Sequence, residues 1–119
     1  MSHSIMSIIL SMICLVVALP QIVVFSGSAT FFNPGLDTCG ATNTAADLIV
    51  KLSTPRYGTG ENCFKDVVVF ANGASVTVSV VGECPGCGLN DIDLSPGAFA
   101  RLADLSEGRI NVQWGFADS

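Results

Sequence analysis

Val67-Val68-Val69-Phe70-Ala71-Asn72-Gly73-Ala74-Ser75-Val76-Thr77-Val78-Ser79-Val80-Val81 is the stretch that decides the fold. Val67 to Phe70 is an unbroken β-branched and aromatic run, which predicts a strand buried on both faces with Phe70 in the core. Asn72-Gly73 is the pair that a two-residue hairpin turn prefers, because both central residues need a positive φ. From Ser75 to Val81 the character alternates. Val76, Val78 and Val80 fall on one face and Ser75, Thr77 and Ser79 on the other. Side chains along a strand point to opposite faces in turn, so this is a half-buried strand turned back on the first.

Working outward, the pattern continues on both sides. Glu83 to Asn90 is a loop of Gly, Pro and Cys. Ser95-Pro96 predicts a helix start, with Ser as the cap and Pro at the first helical position. Ala98, Phe99, Leu102 and Leu105 supply its apolar face and put Phe99 in the core; the helix is expected to stop near Gly108. Arg109 to Phe116 closes the domain as a strand in which Ile110, Val112 and Trp114 alternate with Asn111 and Gln113. On the other side, Thr54 to Asn62 reads as a loop punctuated by Pro55, Gly58 and Gly60. Leu48 to Leu52 is a short apolar run around Lys51, Asn33-Pro34-Gly35 is a turn, and Gly27 to Phe32 is a short first strand. Five or six short strands and one short helix predict a mainly β domain, closed or nearly closed into a small barrel.

The first part of the chain is of a different kind. No Asp, Glu, Lys or Arg occurs from Met1 to Leu36, and Ile5 to Val24 is dominated by Ile, Leu, Val, Met and Ala. Residues 1–26 are therefore expected to be a signal peptide, with small-residue cleavage positions after Ala18 and after Ser26, and residues 27–119 the mature domain. A retained membrane anchor is the rival, because the run approaches the roughly 20 residues needed to span a bilayer. Cutting after Ser26 takes the apolar Ile22–Phe25 away with the leader. Once the leader is gone, no stable membrane association is expected.

The 119-residue chain carries ten acidic and five basic side chains, a net charge of −5. Phosphates repel such a domain, which argues against nucleic acid. A neutral polysaccharide or another protein is the better partner. With Cys14 lost in the leader, Cys39, Cys63, Cys84 and Cys87 remain. An even number of Cys in a small exported domain predicts two disulfides, and the spacing leaves all three pairings open. Cys84-Pro85-Gly86-Cys87 has the spacing of a metal knuckle, but Cys39 and Cys63 form no second close pair and His3, the only His, lies in the leader. No metal and no cofactor are expected.

Several segments, in order, resemble fungal RlpA-like and expansin-like proteins. They are Gly27-Ser28-Ala29-Thr30-Phe31-Phe32-Asn33-Pro34-Gly35 with Cys39-Gly40, Asn62-Cys63-Phe64-Lys65, Cys84-Pro85-Gly86-Cys87, Asp91-Ile92-Asp93-Leu94-Ser95-Pro96 and Gly108-Arg109-Ile110-Asn111-Val112-Gln113-Trp114. Barwin-like proteins, loosenins and some endoglucanases are relatives of that family. The resemblance implies a six-stranded double-psi β-barrel, secretion to the extracellular space, action at cell walls, and a monomer. It also implies a Cys39–Cys63 bond and, with it, Cys84–Cys87.

The resemblance makes Asp93 the candidate acid, the general acid of hydrolytic relatives and a residue needed for wall loosening in expansins. A buried carboxyl group with a raised pKa is suited to protonate a glycosidic oxygen. The plainer role for Asp93 is to cap the helix that begins at Ser95. Asp91, two residues away, shares its face and reads as a turn residue at the groove. Most glycoside hydrolases need a second carboxylate, roughly 5–9.5 Å from the first. The corresponding stretch here is Phe31-Phe32-Asn33, which has none, and Asp37 and Asp47 have no motif behind them. Two further departures from the family pattern are Phe31-Phe32 in place of Tyr-Tyr and Gly82 in place of a frequent Asp. Aromatic rings bind sugars by stacking, so Phe31, Phe32, Tyr57 and Trp114 are candidate polysaccharide contacts beside Asn33 and Asp91, although core packing is the stronger reading for Trp114, on an alternating strand with Ile110 and Val112. These features predict a secreted, expansin-like protein that binds wall polysaccharide such as cellulose or chitin and loosens it without hydrolysis. The alternatives are an interaction protein that uses the barrel as a scaffold and a weak glycan-cleaving enzyme using Asp93.

Overall fold

In the computed structural model, which describes residues 16 and 23–118, six strands form the domain. They are β1 (Phe25–Phe31), β2 (Ile49–Ser53), β3 (Asp66–Ala71), β4 (Ala74–Cys84), β5 (Ile92–Leu94) and β6 (Ile110–Phe116). Two short helices, α1 (Thr54–Tyr57) and α2 (Pro96–Ala100), and a 3-10 turn at Leu105–Glu107 complete it. The strands close on themselves in the order β1-β5-β2-β4-β3-β6. β1 with β5 and β2 with β4 run parallel, and the other four pairings are antiparallel. This is the six-stranded double-psi barrel expected from the resemblance. Among the described residues, no helix is long and apolar enough to cross a membrane. Most of the expected leader, with Cys14 and the cleavage position after Ala18, lies outside them.

The hairpin forms where Asn72-Gly73 predicts it. Both residues take positive φ, 53° and 75°, and Ala71 pairs with Ala74. Val67 and Val69 of β3 and Val76, Val78 and Val80 of β4 point inward to meet Leu52, Ile92, Leu94, Val112 and Trp114. Each such side chain, fully buried, contributes on the order of 1.5–3 kcal/mol. Phe99 plugs one end, and Phe31 meets it edge-on at 5.0 Å between ring centroids.

Several expectations need correction. Phe70 is not in the core; it is 42% exposed, because β3 is buried on one face only and Phe70 falls on the other. Trp114 is fully buried, with its indole Nε1 donating to the Asn90 carbonyl at 2.9 Å, so its ring has no face left for a sugar. β1 begins at Phe25, ahead of Gly27, because Phe25 pairs with Trp114 and stacks on it at 4.8 Å. Pro55 starts α1 instead of breaking a loop, since Pro has no N–H to lose in a first turn. Ser95 caps α2, accepting from the Ala98 N–H, but the helix ends at Ala100. Asp104 caps a separate 3-10 turn by accepting from the Ser106 N–H, and this local bond competes with helix continuation.

Candidate functional site: a groove around Asp93

Ile92 and Leu94 of β5 are buried, so the residue between them faces outward. That residue is Asp93. It stands opposite Thr30 on β1 and opposite Lys51 on β2. The Thr30 hydroxyl donates to Asp93 Oδ1 at 2.9 Å. The Lys51 ammonium lies 4.1 Å from the centre of the Phe32 ring, a cation–π contact. Phe32 is held by its backbone N–H, which donates to the Leu94 carbonyl at 3.0 Å and prolongs the β1–β5 pairing. Asp93, Thr30, Lys51 and Phe32 therefore form one continuous patch. Its acid is not a helix cap; Ser95 takes that role.

A second wall of the groove is built by the loop after β1. The Cys39 N–H donates to the Val81 carbonyl at 3.0 Å, and the Glu83 N–H donates to Thr38 Oγ1 at 2.9 Å. Cys39 is bonded to Cys63, and Cys84 to Cys87. The links at Thr38 and Cys39 hold Asp37 against Gly82. A β-carbon at Gly82 would stand 3.1 Å from Asp37 Cβ and 3.4 Å from Lys51 Cδ, so the absence of a side chain there is what admits the loop. Asp37 Oδ2 is shut away from solvent and has no hydrogen-bond partner among the described residues.

Burial raises the Asp93 carboxyl above the usual carboxylate value. The Thr30 hydrogen bond and the positive charges of Lys51 and Arg109 oppose that rise, and the negative charge of Asp37 adds to it. A partly buried acid with raised proton affinity holds its proton to higher pH than an exposed carboxyl group does and can donate it.

Asp91 lies along the same side of the barrel, where its Oδ1 accepts from the Ser28 backbone N–H at 2.8 Å. Arg109 Nη1 donates to Ser28 Oγ at 2.7 Å. Asn33 is exposed just beyond β1, and Phe31 is 36% exposed at the barrel end against Phe99. Tyr57 is half-buried against the core, with its hydroxyl 3.7 Å from Cys63 Sγ. Of the sequence-derived residues, the structure joins Phe32 to Asp93 through Lys51 and sets Tyr57 beside the Cys39–Cys63 bond. Thr30 and Lys51 were not singled out from the sequence. The signals were there: Thr30 has the outward parity of β1, and Lys51 is a charge inside an apolar strand. Among the described residues, no group of three or more His, Cys, Asp or Glu is placed to hold a metal ion.

The family described as lytic transglycolase matches residues 24–114. Allergen Asp f 7 of Aspergillus fumigatus is 38% identical over 80 residues, covering 66% of this chain and 30% of that protein. Papain inhibitor of Streptomyces mobaraensis is 32% identical over 100 residues, covering 76% of this chain and 70% of the inhibitor. Among solved structures, a mutant Clavibacter michiganensis expansin in complex with cellohexaose has a TM-score of 0.75 at 25% identity, covering 80% of this chain and 50% of that one. The Streptomyces papain inhibitor has a TM-score of 0.74 at 30% identity, covering 79% and 94%. The chain thus spans 30% of the allergen's length and half of the expansin's.

Proposed function

The chain belongs to the RlpA-like family of double-psi β-barrels, with expansin-like relatives, and on that footing we propose that it is a secreted module that binds neutral wall polysaccharide and loosens its packing without hydrolysis. The observation that carries this reading is the groove itself. A half-buried carboxyl group, Asp93, is set between the Thr30 hydroxyl and Lys51, beside the Phe32 ring. Phe32 offers an apolar surface and the polar groups offer hydrogen bonds, the combination a sugar ring requires. The fold shared with an expansin crystallised with cellohexaose supports the choice of ligand class. Two disulfides in a small domain support secretion, since such bonds persist in oxidising compartments.

The non-hydrolytic part rests on the second carboxylate. Asp91 is engaged with the Ser28 N–H, and one oxygen of Asp37 is closed to solvent. These engagements support the reading that neither activates a water across a scissile bond from Asp93. The test is to incubate the purified domain with cellulose, chitin and plant wall in parallel. Retention on at least one wall material with no reducing sugar released is the expected result. Sugar release abolished by Asp93→Asn would replace it with the weak glycan-cleaving reading. Failure to bind any of the three materials would overturn it.

A second reading is supported by one observation, the similarity to the papain inhibitor over most of both chains. On this reading the barrel is a scaffold for loops that engage another protein. Stoichiometric loss of papain activity on titration with the domain would favour it, and undiminished activity would remove it.

A further inference from the structure

A cleft of about 1030 Å³ on the described part of the molecule does not include Asp93 in its lining. It lies over the outer face of β1, β6 and the β3–β4 hairpin and is lined by Ser26, Ser28, Phe70, Ser75, Asn111 and Gln113, with Asp91 at one edge. Register explains the lining. Ser75 pairs with Phe70, Phe70 with Gln113, and Gln113 with Ser26, so these four side chains form one row across four strands. Neighbouring strands are about 4.8 Å apart, which makes the row roughly 14 Å long. Asn111 and Ser28 form the next row.

We propose that this face, centred on Phe70, is a second binding surface for a neutral glycan chain, continuous with the Asp93 groove. The proposal rests on the polysaccharide-binding reading above and adds a site to it. Phe70 presents a partly exposed apolar ring in the middle of a polar row. The side-chain amides of Asn111 and Gln113 flank it and make no hydrogen bond among the described residues, so both keep their donors and acceptors. A pyranose ring has an apolar C–H face and a rim of hydroxyl groups, and it matches a ring bordered by amides and hydroxyls.

The lining also argues against other ligands. The Asp91 carboxylate at the edge already accepts from the Ser28 N–H. Among the described residues the cleft lining holds one carboxylate, Asp91, and no Lys or Arg, and the chain's net charge of −5 repels a phosphate or an acidic glycan. A protein interface of useful affinity needs a cluster of buried anchors, whereas this face has one exposed ring. Continuity with the Asp93 groove follows from strand parity. Ser28 and Thr30 are successive outward residues of β1, about 6.6 Å apart, and Thr30 touches Asp93. A glycan lying along β1 would contact both places.

The experiment is an NMR titration of the isotope-labelled mature domain with cellohexaose and, separately, chitohexaose, alongside retention on cellulose and chitin. Phe70→Leu keeps an apolar residue suited to the strand and removes the ring face; Gln113→Ala removes one amide at an exposed position. The fingerprint spectrum of each variant verifies the fold. With at least one oligosaccharide, shifts are expected at Phe70, Asn111 and Gln113 as well as at Thr30 and Asp93, with affinity falling about 5–10-fold in Phe70→Leu. Shifts confined to the Asp93 groove, with both variants binding like the parent, would overturn the second surface and leave the proposed function standing. No shift with either oligosaccharide and no retention on either solid would remove both.

Discussion

Thr30 and Asp93 face each other across the parallel β1–β5 pair, and the Thr30 hydroxyl donates to Asp93 Oδ1 at 2.9 Å. The bond favours the ionised acid, whereas burial favours the protonated one, and burial wins. Thr30→Val keeps the shape and removes the donor. The Asp93 titration midpoint, followed through its side-chain carbon signal by NMR, is expected to move further up. A midpoint that stays in place would show that the hydroxyl does not act on the carboxylate.

Asp37 acts on Asp93 in the opposite sense to Thr30. It sits in the space that a side chain at Gly82 would fill, and its charge raises the proton affinity of Asp93. Asp37→Asn keeps the size and removes the charge, so the Asp93 midpoint is expected to fall. In a wall-loosening assay whose active form is protonated Asp93, the high-pH limb should move to lower pH by the same amount. An upward move, or none, would contradict the placement of this loop.

The hairpin, the helix cap at Ser95 and the closing strand were legible because each is a local signal: a turn pair, a cap followed by Pro, an alternation. Phe70 was misread for a physical reason. An unbroken Val-Val-Val-Phe run does not say which faces are covered, and closure of the barrel leaves the outer face of β3 bare. The candidate site was legible at Asp93, where the motif is dense, and illegible at Asp37. Nothing in the chain near Asp37 marks it; its place is set by a disulfide to Cys63 and by a glycine remote in sequence. Such long-range placement has no period and no spacing to read.

Asp93 also makes a pH-dependent contribution to stability. Its folded pKa is raised, so the native state holds this proton more tightly than the unfolded chain does. The contribution is therefore fully present below the unfolded value near 3.8 and is lost as pH rises through the folded value. Asn cannot ionise. Asp93→Asn is expected to raise Tm at pH 7 and to leave it nearly unchanged at pH 3. A variant less stable than the parent at pH 7 would mean that the carboxylate is better compensated than its burial implies.

Phe25 bears on where the mature chain starts. Its ring packs on Trp114 at 4.8 Å and carries the Arg56 guanidinium at 3.9 Å. A cut after Ser26 would remove that ring and two residues of β1. A cut after Ala18 would keep them, and the secreted protein is therefore expected to begin at Leu19, which intact mass determines directly. A recombinant chain beginning at Gly27 is expected to be less stable than one beginning at Leu19 by about 2 kcal/mol. Secretion of a chain that begins at Gly27, with equal stability, would reverse this.

The Cys39–Cys63 bond links stability to the chemistry of the groove. It joins residues 24 apart in the chain, and closing a loop of that size stabilises a domain by about 3 kcal/mol, against about 2 kcal/mol for the short Cys84–Cys87 loop. Replacing both Cys39 and Cys63 by Ala is therefore expected to lower stability more than the same change at Cys84 and Cys87. Asp37 lies two residues before Cys39, so releasing the bond should lower the Asp93 midpoint as Asp37→Asn does, while the Cys84 and Cys87 replacements should not reproduce that shift. Denaturant unfolding reads the first effect and the NMR titration the second. If stability fell and the Asp93 midpoint stayed where it was, the hydrogen bonds from the Cys39 N–H to Val81 and from the Glu83 N–H to Thr38 would be sufficient to hold Asp37 over Gly82, and the disulfide would serve the fold alone.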